Sequence, residues 1–232
     1  MINHIPYSSL YFADHGWLKS RFHFSFGEYR NYDNIQYGPL RVMNDDLIAG
    51  HTGFDTHPHK DMEIITYVIK GELTHQDNMG NKKTLTRGDV QYLSAGTGII
   101  HSEKNDSDEE IHLIQTWILP QKNLLTPQYG SKIFDEAQRK NKWLHIVGPK
   151  GSQAEIFIYQ DANMYVSEIE ADSTLTFDLK ENRQLYLKVM EGDAIINKVN
   201  FNFGDAAEIT NEAINIKATN NTHLLLVEMK QE

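Results

Sequence analysis

Two short pairs of metal-binding side chains place the strongest constraint on how this chain can fold. His57 and His59 form the first pair, and His101 and Glu103 form the second. In a β-strand, residues two positions apart point to the same face. If the two strands lie opposite each other, three imidazoles and one carboxylate converge on one point. That set of nitrogen and oxygen ligands suits a divalent metal of the first transition row.

The segments between the two pairs predict short strands joined by tight turns. Residues 63–69 are β-branched and aromatic, and Gly71 ends the run. Residues 90–93 form a second short strand, and Gly96 and Gly98 permit a sharp loop before the second pair. Antiparallel strands joined in this way bring distant segments side by side, so the two pairs can meet.

Short strand patterns continue on both sides of this region. They occur at residues 21–27, 40–46 and 111–119, and again throughout residues 144–232. Strands at this spacing are typical of an all-β sandwich or barrel. Residues 131–142 are the one stretch whose pattern predicts a helix.

A faint internal repeat relates the two halves of the chain. Residues 68–71 resemble residues 188–192, and residues 85–89 resemble residues 202–205. Matching these turns places the four metal-binding residues on Asp178, Lys180, Lys217 and Thr219 of the second half. The second copy keeps the turns and lacks the ligand set. We therefore predict a duplicated β-barrel with a metal in the first copy only.

Length and composition are those of an ordinary globular protein with one large or two modest domains. The chain has 232 residues, of which 40% are hydrophobic and 23% are charged. We predict that residues 1–138 form the metal-binding barrel and residues 139–232 form the degenerate second barrel. The formal net charge is -10 and no dense basic patch is visible, which disfavours direct binding of nucleic acid.

Targeting features are also informative. The chain has no cysteine, no apolar run of transmembrane length and no secretory signal pattern at residues 1–6. These features predict a protein without disulfides or a membrane partner, in the cytoplasm.

Longer runs around the two pairs closely resemble the pirin family of bicupins. The runs are residues 57–68, 75–81, 88–91 and 94–103, in that order. The resemblance implies an all-β fold of two double-stranded β-helices, that is, two cupin barrels in one chain. It implies that the N-terminal barrel holds the metal.

Carried over residue by residue, the resemblance implies metal ligands at His57, His59, His101 and Glu103. It implies Fe(II) as the metal, although these ligands taken alone also suit Mn, Co, Ni, Cu or Zn. The resemblance to bacterial pirin-like proteins described as quercetin 2,3-dioxygenases implies that a flavonol and O2 are the substrates. The central ring is then cleaved and carbon monoxide is released. We further predict that Glu103 takes the proton of the flavonol hydroxyl.

An alternative follows from the eukaryotic members that this family resemblance also covers. These eukaryotic relatives resemble redox-sensitive partners of transcription factors. On this interpretation the chain is a binding protein whose metal changes a surface for a protein partner, and its flavonol activity is incidental.

Four other residues are candidates with smaller roles. Glu63 stands where cupins commonly take a carboxylate ligand and shares strand parity with His59, so we predict that it lies just outside the ligand set. His75, His51 and His23 are interpreted as hydrogen-bonded polar groups. Of these three, His23 is the best candidate to line a pocket, because its strand could cover the site.

Overall fold

The computed structural model describes residues 1–231, and nearly all of its regular structure is β-strand, which confirms the predicted all-β class. The first twelve strands are β1 (Ile2–Ile5), β2 (Tyr11–Asp14), β3 (Leu18–Phe22), β4 (Leu40–Ile48), β5 (Gly53–His59), β6 (Glu63–Lys70), β7 (Leu73–Asp77), β8 (Lys82–Leu85), β9 (Val90–Ser94), β10 (Ile99–Lys104), β11 (Ile111–Ile118) and β12 (Gln128–Lys132). The other strands are β13 (Leu144–Pro149), β14 (Ile156–Ile158), β15 (Ala162–Ile169), β16 (Thr174–Phe177), β17 (Arg183–Glu191), β18 (Ala194–Ile196), β19 (Val199–Phe201), β20 (Ala206–Thr210), β21 (Ile214–Ala218) and β22 (Thr222–Lys230). Within residues 1–231, the helical elements are two 3-10 turns, Tyr7–Ser9 and Glu136–Gln138.

The chain forms two compact units. The first unit consists of Tyr11–Phe134 together with Ile158–Gln160. The second unit consists of Met1–Leu10, Asp135–Phe157 and the chain from Asp161 onward.

The first unit is built from two antiparallel sheets that share one core. The larger sheet has seven strands in the order β12-β9-β6-β11-β4-β3-β2, and the smaller has four in the order β5-β10-β7-β8. Buried apolar residues from both sheets form one cluster: Leu18, Ile48, Val68, Leu73, Leu85, Ile111 and Leu113. Burial of these side chains is the main force that holds the sheets together. The smaller sheet contains both strands that carry the predicted ligands.

The second unit repeats the central part of this arrangement, with β15 to β22 in the places of β4 to β11. Its larger sheet has the order β1-β20-β17-β22-β15-β13-β14, and its smaller sheet has the order β16-β21-β18-β19. Its core takes apolar residues from both sheets, including Leu187, Ile196, Ile216 and Leu226. The common order of these eight strands shows that the faint sequence repeat reflects a duplicated fold.

The compact units differ from the predicted division after residue 138 in the unit to which residues 1–10 belong. β1 pairs antiparallel with β20, from Ile2 opposite Ile209 to Ile5 opposite Ala206. The first strand of the chain therefore belongs to the second unit. The division of the chain after residue 138 stays a prediction.

The predicted helix at residues 131–142 is wrong. Ser131 lies in β12, where it pairs with Gln91 of β9, and only Glu136–Gln138 makes a single 3-10 turn. Arg139, which lies within this stretch, is 3% exposed and forms an ion pair with Glu168 at 3.0 Å. Sheet pairing has overridden local helix propensity here. None of the helices within residues 1–231 has the length and apolar character that a membrane span requires.

Candidate metal centre

The two predicted pairs lie on neighbouring strands of the smaller sheet in the first unit. β5 and β10 run antiparallel, with His57 opposite His101 and His59 opposite Ile99. Three imidazoles therefore share one face. The register shifts between His101 and Glu103, because β5 carries one extra residue there and Glu103 stands opposite Phe54. A β-bulge of this kind changes the direction of the side chains beside it.

Three imidazoles converge as the strand parity predicts. The ring centroids of His57 and His59 are 4.7 Å apart, those of His57 and His101 are 4.5 Å apart, and those of His59 and His101 are 4.9 Å apart. One nitrogen from each ring lies within 4.8 Å of the others. Trp117 packs against His59 in an edge-to-face arrangement, with ring centroids 5.0 Å apart. This spacing suits a single cation bound by three nitrogens.

The protonation of these rings fits a metal ligand set. The Nδ1–H of His57 donates to the backbone carbonyl of Asp55 at 2.7 Å, so Nε2 is the nitrogen available to a metal. His101 is 2% exposed, and its Nε2 has no hydrogen-bond partner. Burial and the neighbouring imidazoles lower the pKa of His101 to about 3. Burial and the charge of His57 lower the pKa of His59 to about 4, so both rings are neutral at pH 7.

Glu103 lies next to this cluster but belongs to an overlapping group. Its carboxylate, one nitrogen of His101 and one nitrogen of His75 lie within 4.8 Å of one another. The side-chain amide of Gln115 donates to Glu103 Oε2 at 2.8 Å, and the amide of Gln91 donates to Oε1. Burial raises the pKa of Glu103, against the lowering effect of His57 and these hydrogen bonds. A cation would favour the ionised form, so the residues present fit a metal.

A cavity of about 250 Å³ opens beside the cluster. Its walls are formed by His15, Leu18, Ser20, Phe22, Phe26, Gly27, Glu28, Asn44, Asp46, Phe54, His57, His59, Glu103, Gln115 and Trp117. Three of the four predicted ligands therefore face the same space. Most of the remaining wall is aromatic or apolar. At the edge of the cavity, His15 and Glu28 form an exposed pair, with His15 Nε2 3.5 Å from Glu28 Oε2.

Asp46 is a residue of the site that the sequence analysis missed. It lines the cavity, is 2% exposed and accepts a hydrogen bond from the Ser20 hydroxyl. Burial, together with the charges of Asp45 and Glu103, raises its pKa to about 7. The signal in the sequence was the run of three polar residues, Asn44, Asp45 and Asp46, within an otherwise mainly apolar strand, and Asn44 also lines the cavity.

The other candidate residues differ in how they lie relative to the metal centre and the cavity. His75 is hydrogen-bonded, as interpreted, but its partners are Asp77 at 3.1 Å and His101 at 3.3 Å, so it contacts the centre directly. Glu63 accepts a hydrogen bond from Ser94 at 2.8 Å and belongs to neither ligand group. His23 is buried, but His15 lines the cavity in the way expected of His23.

Two models of known protein families together match most of the chain. The pirin family model matches residues 6–118, and the model of the quercetinase C-terminal cupin domain matches residues 145–229. A pirin-like protein of Caulobacter vibrioides is 43% identical over 98% of this chain and 99% of its own length. Quercetin 2,3-dioxygenase of Escherichia coli K12 is 40% identical over 94% of each chain.

Solved structures agree with these matches. The crystal structure of the bacterial pirin YhhW from Escherichia coli in complex with nickel(II) has a TM-score of 0.93 and 36% identity, and the match covers 100% of both chains. The two units are thus cupin domains, which confirms the predicted bicupin fold. This chain belongs to the pirin family.

Proposed function

We propose that this protein is a metal-dependent dioxygenase that cleaves flavonols such as quercetin with O2 and releases carbon monoxide. The observation that carries the proposal is the convergence of His57, His59 and His101 beside a cavity that also contains Glu103. The names of relatives at about 40% identity support the substrate class, and the nickel complex of a related pirin supports a metal in this fold.

The proposed ligands are the imidazoles of His57, His59 and His101 and the carboxylate of Glu103. Fe(II) is the proposed native metal, and the ligand set also suits Mn, Co, Ni, Cu or Zn. When bound, such a cation acidifies a flavonol hydroxyl and makes the flavonol more electron-rich toward O2. The hydrogen bonds from Gln91 and Gln115 hold the Glu103 carboxylate in place.

The cavity wall determines how an aromatic substrate can enter. Phe22, Phe26 and Trp117 supply aromatic surfaces on which a flat ring can pack. A volume of about 250 Å³ lies below the ~300 Å³ that is typical for the enclosure of a whole drug-sized ligand. We therefore propose that the hydroxyl-bearing rings enter and that the rest of the flavonol extends past His15 and Glu28.

The decisive experiment combines metal analysis with spectroscopy. Untagged protein loaded with Fe(II) is mixed with quercetin without oxygen, and air is then admitted. We expect a metal-dependent shift of the flavonol absorption band, followed by turnover and release of carbon monoxide. His57→Gln should lose bound metal and turnover, whereas His51→Gln should keep both, because His51 is exposed and paired with Asp108.

The outcomes separate the alternatives. Absence of bound metal in the wild-type protein would contradict the proposed centre. Bound metal without a quercetin shift or turnover would contradict the enzymatic function and favour the alternative, a redox-sensing protein that binds a protein partner.

A further inference from the structure

A buried row of three side chains leads away from the proposed metal centre, on the side opposite the cavity residues of β5. β7 pairs with β10 so that Asp77 stands opposite His101 and His75 stands opposite Glu103. Asp77 Oδ2 lies 3.1 Å from His75 Nε2, and His75 Nδ1 lies 3.3 Å from His101 Nδ1. The side chains of His75 and Asp77 have no solvent exposure.

The direction of the first hydrogen bond follows from the surroundings of Asp77. Its Oδ1 accepts the backbone N–H groups of Met79 and Asn81 at 2.9 and 3.0 Å, and the Asn81 amide donates to Oδ2 at 2.8 Å. Burial alone would raise the pKa of Asp77, but the hydrogen bonds from Asn81, His75 and the backbone lower it. An ionised carboxylate only accepts, so His75 Nε2 carries the proton of this bond.

The direction of the second bond follows from His101. Its Nε2 is buried and has no hydrogen-bond partner. An N–H at that position would be buried without an acceptor, which costs free energy. A proton on Nδ1 instead donates to His75 Nδ1, whose lone pair is available because the proton of His75 is on Nε2. Both N–H groups of the row then have an acceptor, and His101 Nε2 keeps an unshared lone pair.

We infer that Asp77 and His75 are positioning residues, which hold His101 as the Nδ1–H tautomer and present the lone pair of its Nε2 to the metal. The inference rests on the metal centre proposed above. The ring of His75 is itself held in place, because it stacks on Tyr129 with centroids 4.1 Å apart and an angle of 9°. Hydrogen bonds of this kind orient metal-bound histidines and set their tautomers.

A cation between His75, His101 and Glu103 is the competing arrangement, because these three also offer ligand atoms within 4.8 Å. It requires unprotonated Nδ1 atoms on both facing rings. His101 would then carry its proton on the buried Nε2, without an acceptor. The structure therefore favours the positioning role for His75.

Asp77→Asn tests the inference because it should reverse the direction of both hydrogen bonds in the row. The Asn oxygen is needed by the backbone N–H groups of Met79 and Asn81, so the new NH2 faces His75 Nε2. His75 must then move its proton to Nδ1 and donate to His101, whose own proton moves to Nε2. Gln76→Asn is the matched control, since Gln76 lies on the same strand and its side chain is exposed.

The readouts are histidine tautomers and metal affinity. In metal-free protein with 15N-labelled histidine, NMR should show His101 protonated on Nδ1 and His75 on Nε2, and both assignments should reverse in Asp77→Asn. Titration with Ni²⁺ should show affinity that is about 10–100-fold weaker in Asp77→Asn and unchanged in Gln76→Asn. His75→Phe, which keeps the stacking on Tyr129 but lacks the acceptor, should show a similar loss and serves if Asp77→Asn does not fold.

Several results would overturn the inference. One is His101 protonated on Nε2 in the wild-type protein, and another is Asp77→Asn and His75→Phe with wild-type affinity. A shift of the His75 Nδ1 resonance that marks direct coordination of Zn²⁺ would assign His75 as a ligand instead. Failure of the wild-type protein to bind Ni²⁺ would contradict the proposed centre itself, whereas the tautomers of the metal-free protein are measured independently of it.

Discussion

Asp46 and Glu103 are two buried carboxylates on one cavity, but they have different hydrogen-bond partners. Glu103 accepts from the amides of Gln91 and Gln115, whereas Asp46 accepts from the hydroxyl of Ser20. If Glu103 binds the metal, its oxygens are already occupied by the metal and by the two amides. Asp46, with a pKa raised to about 7 by burial, changes its charge near neutral pH. The two residues are therefore suited to different tasks.

We predict that Asp46→Asn lowers quercetin turnover about 100-fold or more, as loss of a general base does. In the wild-type protein, turnover should rise as the pH passes about 7, because Asp46 becomes a carboxylate that can accept the hydroxyl proton. In Asp46→Asn this rise should be absent while the metal content is unchanged. Glu103→Gln is the comparison: retained metal with lost turnover would support the proton-accepting role predicted for Glu103. An unaltered pH profile in Asp46→Asn would count against Asp46.

Glu63 permits a second prediction, about stability. Burial raises its pKa to about 7, against the lowering effect of hydrogen bonds from Ser94 and from the backbone of Tyr159. A raised pKa in the folded state means that its contribution is fully present below the ordinary pKa of 4.5 and is lost as the pH rises through about 7. In metal-free protein, Glu63→Gln should therefore reduce the loss of unfolding free energy between pH 5 and pH 8, by at most about 3 kcal/mol.

Urea unfolding at the two pH values measures this difference. Glu72→Gln is the matched control, because Glu72 is exposed in the turn that follows the same strand. Equal pH dependence in the wild-type protein and Glu63→Gln would show that Glu63 is ionised at neutral pH in the folded state.

At the scale of elements, the pairing of two strands explains why only the first unit carries the ligand set. β16 and β21 occupy the places of β5 and β10 in the second unit. Phe177 pairs with Ile214 and Leu175 with Ile216, and both pairs belong to or pack against the apolar core. Ala218, two residues further along β21, is also in that core.

The sequence repeat had matched the ligands to Asp178, Lys180, Lys217 and Thr219. The paired strands place core residues at the inward positions instead, and Lys217 lies on the opposite face between Ile216 and Ala218. A shift of one residue in a strand exchanges its two faces. The inward positions of the second unit therefore contribute apolar packing.

The loop before β10 yields a prediction at the same scale. Gly96 has φ of +45°, and a Cβ there would lie 2.0 Å from the backbone oxygen of Leu125. Gly80 has φ of +92°, but a Cβ there would meet nothing within 4 Å. Gly96→Ala should destabilise the protein by several kcal/mol, beyond the ~1 kcal/mol expected from backbone strain alone in Gly80→Ala.

Thermal unfolding with Ni²⁺ titration of both variants provides the measurement. Gly96→Ala should also weaken metal binding, because the loop positions the start of β10. Equal stability of the two variants would mean that the segment around Leu125 moves away at little cost.

At the scale of the whole molecule, the first strand of the chain completes the second unit. β1 lies at the edge of the larger sheet, next to β20. Asp205 joins the two segments, with Oδ2 2.9 Å from His4 Nε2 and Oδ1 accepting the Tyr7 N–H at 2.8 Å. A Cβ on Gly204 would lie 2.4 Å from the ring of Tyr7, so close packing requires glycine there.

We predict that deletion of residues 1–9 destabilises the second unit. Removal of β1 exposes the edge of β20 and leaves Asp205 without two of its partners. Hydrogen exchange should increase over Ala206–Thr210, while exchange over Ile99–Lys104 of the first unit stays unchanged. Equal increases in both segments would show that the two units unfold together, and no increase would show that β1 contributes little.

The sequence by itself determined the all-β class, the two ligand-bearing strands and the parity that places His57, His59 and His101 together. These features depend on periodicity within one strand or on a long match to a family, and both are visible along the chain. The helix predicted at residues 131–142 was wrong because this stretch pairs with β9 instead. Local sequence patterns carry no information on such pairing.

The tertiary structure decided which distant residues touch. The contact of His75 with His101, the position of Asp46 in the cavity and the membership of β1 in the second unit all depend on the register between strands far apart in sequence. Register is set by the packing of whole sheets, since one step exchanges the two faces of a strand. For that reason the side chains that support and surround the centre emerge only from the folded chain.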